Sequence, residues 1–151
     1  MSLRILIVED DALTAAAFAA ALNDAGHQVV AIADTAHAAV AHAGHAETDL
    51  ALVDITLRDG RSGFAAARAL HADRIEVVLV SGDTDLRAKA NAVRAIDYVA
   101  KPADANSVAR VVSAIEHRLT RQGEAPDGDQ STETRASAQV REWPSARFTV
   151  G

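Results

Sequence analysis

Glu9, Asp10, Asp54, Ser81 and Lys101 each stand at the C-terminal end of a short apolar run. The plainest case is Leu50-Ala51-Leu52-Val53-Asp54-Ile55-Thr56-Leu57, where one carboxylate interrupts a β-forming stretch. Such runs read as strands buried on both faces of a parallel sheet. A charge is tolerated there only at the strand's end, where the sheet opens to water and ligands. If the runs lie side by side and parallel, the five residues meet in one cleft. Three carboxylates crowded together repel one another unless a cation sits among them. A hard divalent ion with oxygen ligands, Mg²⁺, answers that need. Beside it Asp54 could attack phosphorus as a carboxylate nucleophile. The Lys101 ammonium and the Ser81 hydroxyl could then take equatorial oxygens as charge spreads over them. Each residue alone has an ordinary explanation: a turn cap, a loop hydroxyl, a solvated cation. Their joint occurrence at successive strand ends argues for a site.

The elements needed to position these residues are legible in order. Leu3 to Val8 reads as a first strand, and Ala12 to Ala25 as an alanine-rich helix burying Leu13, Ala17, Phe18, Ala21 and Leu22. Gly26 suits the left-handed position after a helix. Gln28 to Ala33 is a second strand, and Asp34 or Thr35 caps a helix to about Ala46. That helix carries His37, His42 and His45, five and three residues apart. This is not the four-residue spacing of paired metal ligands, so a solvated face is expected. Asp49 to Asp54 is the third strand, followed by the polar loop Arg58 to Gly63, whose glycines read as turn residues, and a helix from Phe64 to Ala72. Ile75 to Val80 is the fourth strand and Thr84 to Ala95 a helix with few large apolar residues. Tyr98 to Ala100 is the fifth strand. Asp104 to Arg121 is the last helix, with Val108, Val111, Val112, Ile115 and Leu119 at helical spacing. Strands alternating with helices imply an α/β fold, a doubly wound parallel sheet with helices on both faces.

With 151 residues the chain can form one domain with a real core. It is 49% hydrophobic and 24% charged, as soluble globular proteins are. A net charge of −6 argues against nucleic acid as a partner. The absence of cysteine excludes disulfides and thiolate chemistry. No run is long enough for a membrane span or a signal sequence, so a cytoplasmic location is expected. Composition changes at residue 122. Residues 122–151 read as a linker-like tail, and 140–150, with Val140, Trp143, Phe148 and Val150, as a segment that could dock on a protein surface.

The motifs Ile5-Leu6-Ile7-Val8-Glu9-Asp10-Asp11, Leu52-Val53-Asp54, Val80-Ser81-Gly82 and Asp97-Tyr98-Val99-Ala100-Lys101-Pro102 resemble the receiver domain of two-component response regulators. The resemblance covers residues 3 to about 121 and suggests a receiver domain at 1–121. It implies a flavodoxin-like five-stranded sheet in the order 2-1-3-4-5. It implies Asp54 as phosphoacceptor, with Ser81 and Lys101 on the phosphoryl group. Asp10, Asp54 and the Thr56 backbone carbonyl would ligate Mg²⁺, Glu9 would reach it through water, and the rotamer of Tyr98 would follow the state of Ser81. The donor would be a histidine kinase or histidine phosphotransfer protein. The domain would be a signalling receiver that promotes its own phosphorylation and dephosphorylation, acting on an unidentified downstream protein. Its contact face, also a possible homodimer face, would be the fourth helix, fifth strand and fifth helix.

The chain departs from the family pattern in four places. Arg58 stands where proline is usual, and the loop to Gly63 looks one residue longer. Ala95-Ile96 stands where an Ala-Gly pair is common, and Ala103 where Phe is frequent. Two other readings stay open. A haloacid dehalogenase-type phosphatase shares the Asp nucleophile but needs an acid where Thr56 stands. A pseudo-receiver scaffold would not be regulated by phosphorylation and would be expected to lose one of the reacting groups.

Overall fold

The computed structural model describes residues 2–57 and 62–124. The chain alternates β1 (Arg4–Val8), α1 (Ala12–Asp24), β2 (Gln28–Ala33), α2 (Ala36–His45), β3 (Leu50–Asp54), α3 (Ser62–Ala72), β4 (Glu76–Ser81), α4 (Leu86–Ala92), β5 (Asp97–Ala100) and α5 (Ala105–Gly123). The five strands form one sheet in the order β2-β1-β3-β4-β5, every pair parallel. This is the doubly wound α/β architecture expected from the alternation, in the flavodoxin-like strand order that the family resemblance implied.

Side chains of successive strand residues point to opposite faces, and each face has its own helices. Leu6, Val8, Ala51, Val53, Val77 and Leu79 pack with α2, α3 and α4. Ile5, Ile7, Leu50, Leu52, Val78 and Val80 pack with α1 and α5. Burial on both sides explains why the central strands are unbroken apolar runs rather than alternating ones.

The helix ends follow local chemistry. Thr35 Oγ1 accepts the Ala38 N–H and caps α2, and Asp104 Oδ1 accepts the Ser107 N–H and caps α5. Gly26 has φ +93°, the left-handed residue anticipated after α1.

Three expectations need correction. In α1 the buried residues are Ala15, Phe18 and Leu22, whereas Leu13 is 82% exposed and Ala17 is exposed. At 3.6 residues per turn Leu13 lies roughly 160° around the helix from Ala15, so it cannot share that stripe. Secondly, α4 is confined to Leu86–Ala92, shorter than Thr84 to Ala95. The third concerns how α4 ends. Arg94 takes φ +56°, with Arg94 N–H bonded to the Asn91 carbonyl and Ala95 N–H to the Ala90 carbonyl. That is the Schellman pattern, so the position that favours glycine is Arg94, ahead of the Ala95-Ile96 pair. Arg74 closes α3 in the same way at φ +64°, its N–H bonded to the His71 carbonyl and the Ile75 N–H to the Leu70 carbonyl.

A Cβ at a left-handed position costs about 1 kcal/mol. Arg94→Gly should therefore raise stability by about that amount, read as a higher urea midpoint at unchanged slope. An unchanged or lower midpoint would contradict the strain assigned to Arg94.

Among the described residues no helix is long and apolar enough to cross a membrane. The loop residues 58–61 and the tail from 125 onward, with the docking segment 140–150, lie outside the described residues.

Candidate functional site

Register brings the five sequence candidates to one edge of the sheet. Val8 is opposite Val53, Asp54 opposite Val80, and Ser81 opposite Ala100. Backbone hydrogen bonds carry the pairing past the strand ends: Glu9 N–H to the Ala33 carbonyl, Ile55 N–H to Val80, and Lys101 N–H to Ser81. The last strand-end residues are thus held by the sheet itself rather than by mobile loops. The Lys101–Pro102 peptide that follows β5 is cis.

Ligand atoms of Glu9, Asp10 and Asp54 all lie within 4.8 Å of one another. Glu9 and Asp54 are buried, at 4% and 3% exposure, and Asp10 is half-buried. Lys101 Nζ donates to Asp54 Oδ2 at 2.8 Å and lies 3.5 Å from Glu9 Oε2. The other oxygen of Asp54 accepts the Thr56 N–H at 2.9 Å. Glu9 Oε1 accepts the Asp11 N–H at 3.1 Å. Its buried Oε2 accepts no hydrogen bond among the described residues. Ser81 is wholly buried, and its Oγ accepts the Asp83 N–H at 3.1 Å. Tyr98, on β5, is half-buried, and its hydroxyl oxygen accepts Arg87 Nε at 3.2 Å.

One ammonium facing three carboxylates leaves an excess of negative charge in a desolvated place. Burial, reinforced by Asp54, pushes the Glu9 carboxyl up to about 7 against the pull of the Asp11 N–H and Lys101. Burial pulls Lys101 down, but its hydrogen bond to Asp54 and the charges of Asp54 and Glu9 outweigh this and raise it. A buried carboxylate oxygen without a donor, in a set of hard oxygen ligands, is what a divalent cation would satisfy. The residues present fit such an ion.

The sign of the pH dependence follows. Because Glu9 binds its proton more tightly folded than unfolded, its favourable contribution is complete below about 4.5. It is lost as pH rises through about 7. Without metal, Glu9→Gln should escape that loss and gain on wild type between pH 5 and 8. The midpoints of urea unfolding in chelator at several pH values test this; a constant difference would contradict it.

His37, His42 and His45 are all exposed, and among the described residues the only metal-ligand cluster is Glu9, Asp10 and Asp54. The sequence missed Gly63. Far from being a turn residue, Gly63 lies in the first turn of α3, and a Cβ built there would stand 2.2 Å from the Asp54 carbonyl oxygen and 2.6 Å from that of Ile55. It lets α3 cross directly over the end of β3. The Asp83 N–H on Ser81, a turn contact two residues long, and Arg87 on Tyr98, which joins α4 to β5, were also missed.

The response regulator receiver domain model matches residues 5–113. Acid tolerance regulatory protein ActR from Rhizobium meliloti (strain 1021) is 30% identical over 133 residues, covering 85% of this chain. The ActR of Sinorhizobium medicae (strain WSM419) matches to the same extent, and the chain spans 66% of the length of either relative. The signal receiver domain of a modulated diguanylate cyclase from Desulfovibrio desulfuricans G20 is 29% identical. It superposes with a TM-score of 0.70 over 81% of this chain and 99% of that one. A CheY-like receiver domain protein from Methanospirillum hungatei JF-1 is 26% identical, with a TM-score of 0.68 over 83% of this chain and all of that one. With the acid cluster at the sheet edge and a family match over most of its length, this chain belongs to the response regulator receiver domain family.

Proposed function

We propose that this receiver accepts a phosphoryl group on Asp54 from a phosphohistidine donor, in a reaction dependent on Mg²⁺, and that the transfer switches protein contacts. The observation that carries this reading is the position of Asp54. It is a buried strand-end carboxylate within 4.8 Å of two others and bonded to Lys101 at 2.8 Å.

An Asp54 carboxylate oxygen forms the new bond to phosphorus as the P–N bond of the donor breaks. The bonding pair returns to the imidazole nitrogen, leaving an acyl phosphate on the receiver and a histidine on the donor. The Thr56 N–H and Lys101 hold the two carboxylate oxygens before reaction and orient the nucleophile. Afterwards Lys101 and Ser81 are the groups that receive the phosphoryl oxygens, and Lys101 has no need to travel far. Glu9, Asp10, Asp54 and the Thr56 carbonyl would hold Mg²⁺, which supplies charge neutralisation for the carboxylates and the phosphoryl oxygens. Attack of water on the same phosphorus returns free Asp54 and phosphate. The signal then passes through Ser81 and Tyr98 to the face of α4, β5 and α5, where a downstream protein or a second copy of the chain would bind.

Acetyl phosphate with Mg²⁺ provides the test. The expected product carries one added phosphoryl group, labile to hydroxylamine and mapped to Asp54 by mass spectrometry. Continuous release of phosphate from many monoesters would point instead to a phosphatase, and an unreactive protein would point to a scaffold.

A further inference from the structure

The switch residues are not held by the sheet alone, and the contacts on them converge on α4. Arg87 Nε donates to the Tyr98 hydroxyl oxygen at 3.2 Å, joining α4 to β5 across the molecular surface. Two residues on, Lys89 Nζ pairs with Asp83 Oδ2 at 2.5 Å. The backbone N–H of that same Asp83 donates to Ser81 Oγ at 3.1 Å. Ser81 and Tyr98 are thus tied to one seven-residue helix from opposite directions, Ser81 through its loop and Tyr98 through its phenol. The helix itself sinks few anchors into the core. Its buried residues are Leu86 and Ala90, supported by Val93 just beyond its end.

We propose that Arg87 is a positioning residue for the switch: its guanidinium holds the Tyr98 phenol at the surface of α4, so that release of this bond is part of the cost of responding to phosphorylation at Asp54. The inference rests on the reading of Asp54 given above and adds what sets the resting population. Tyr98 packs its ring against the core cluster shared with α3 and α4, so turning inward requires the phenol to leave its donor. The Lys89–Asp83 pair keeps the β4–α4 loop, and with it the N–H that occupies Ser81, in register with the same helix. Exposed contacts of this kind are weak singly. That strength suits a latch, because a stronger hold would stop a modest ligand from shifting the two-state balance.

Tyr98 is the only tyrosine in the chain, so biosynthetic 3-fluorotyrosine places a single ¹⁹F reporter on the switch in the intact protein. Wild type should show one resonance at rest and a displaced one with acetyl phosphate and Mg²⁺. Arg87→Met keeps the aliphatic stem and the helix propensity but removes the donor. Its resting resonance should lie part of the way toward the phosphorylated position, and it should react with acetyl phosphate about two- to five-fold faster than wild type. Arg87→Gln, which retains an N–H donor, should fall nearer to wild type. In a cycle with Tyr98→Phe the effects on that rate should be non-additive, because each change breaks the same bond. A melting curve on each variant separates loss of α4 from loss of the latch, since mere unfolding would slow the reaction. If the wild-type resonance moves with phosphodonor while Arg87→Met keeps the wild-type shifts and rate, the latch is overturned and Asp54 is not. If wild type neither moves nor takes phosphate, the reading of Asp54 falls and takes the latch with it.

Discussion

Asp54→Asn protein given acetyl phosphate and Mg²⁺ will carry no hydroxylamine-labile phosphoryl group, whereas wild type will. The carboxamide is close to isosteric and can keep the Thr56 N–H contact made at 2.9 Å, but its oxygen is a neutral and far weaker nucleophile. Loss of adduct should exceed roughly three orders of magnitude, beyond the roughly 10²–10³-fold that removal of a single stabilising donor causes. The fold should survive, and in the absence of metal it should gain. Asp54 is one of the charges that push Glu9 up, so removing it relieves a repulsion that the folded state alone bears. Loss of adduct without loss of stability is therefore the signature of a nucleophile. Mg²⁺ separates the other two acids. It should raise the melting temperature of wild type by binding the folded form, and Asp10→Ala should reduce that rise more than Glu9→Ala. A labile adduct that persists in Asp54→Asn would move the phosphoacceptor elsewhere.

Gly63→Ala should be the most damaging single-methyl change outside the reacting groups. The added Cβ would meet only backbone, at 2.2 Å from the Asp54 oxygen, 2.6 Å from the Ile55 oxygen and 2.7 Å from the Ile55 Cα. No side chain can rotate away, so α3 must shift or the end of β3 must. Overpacking of this kind costs about 1–3 kcal/mol, against which the intrinsic gain of Ala over Gly in a helix is about 1 kcal/mol. A contact this short against backbone falls at the upper end, so a net loss of about 2 kcal/mol is expected. Gly44→Ala is the matched control. It lies within α2 with nothing inside 4 Å of its added Cβ, and it should stabilise by up to about 1 kcal/mol. Because the clash is with the main chain of Asp54 itself, Gly63→Ala should also shrink the Mg²⁺-dependent rise in melting temperature. Equal stability of Gly63→Ala and wild type would show that α3 can move freely over β3.

How far the sequence could be read depended on how local the deciding interaction was. Strands and their order of appearance were legible because burial on both faces writes itself as unbroken runs such as Ile5 to Val8 and Val77 to Val80. The cap of α2 was legible to within one residue, as Asp34 or Thr35, for a similar reason, since a cap acts within three residues. The buried side of α1 was misjudged. Thirteen residues dominated by alanine give little contrast between faces, and Leu13 is apolar yet exposed. The left-handed Arg94 gave no signal at all, because arginine has no preference for that conformation and is held there by the two Schellman hydrogen bonds.

Sequence alone determined which residues could form the site. The chemistry of carboxylate, hydroxyl and ammonium belongs to the side chains, and their places after apolar runs follow from hydrophobic patterning. Tertiary structure decided what those groups experience. The parallel register set Lys101 2.8 Å from Asp54 and gathered three acids within 4.8 Å. Burial then raised Glu9 and left one of its oxygens without a donor. The approach of α3 to β3 gave Gly63 its role, and packing of α4 beside β5 brought Arg87 to Tyr98. These are contacts between segments 8 to 92 positions apart along the chain (Asp54 to Ile55 against Gly63; Glu9 against Lys101). Desolvation and distance exist only once those segments are packed, so no local pattern could have carried them.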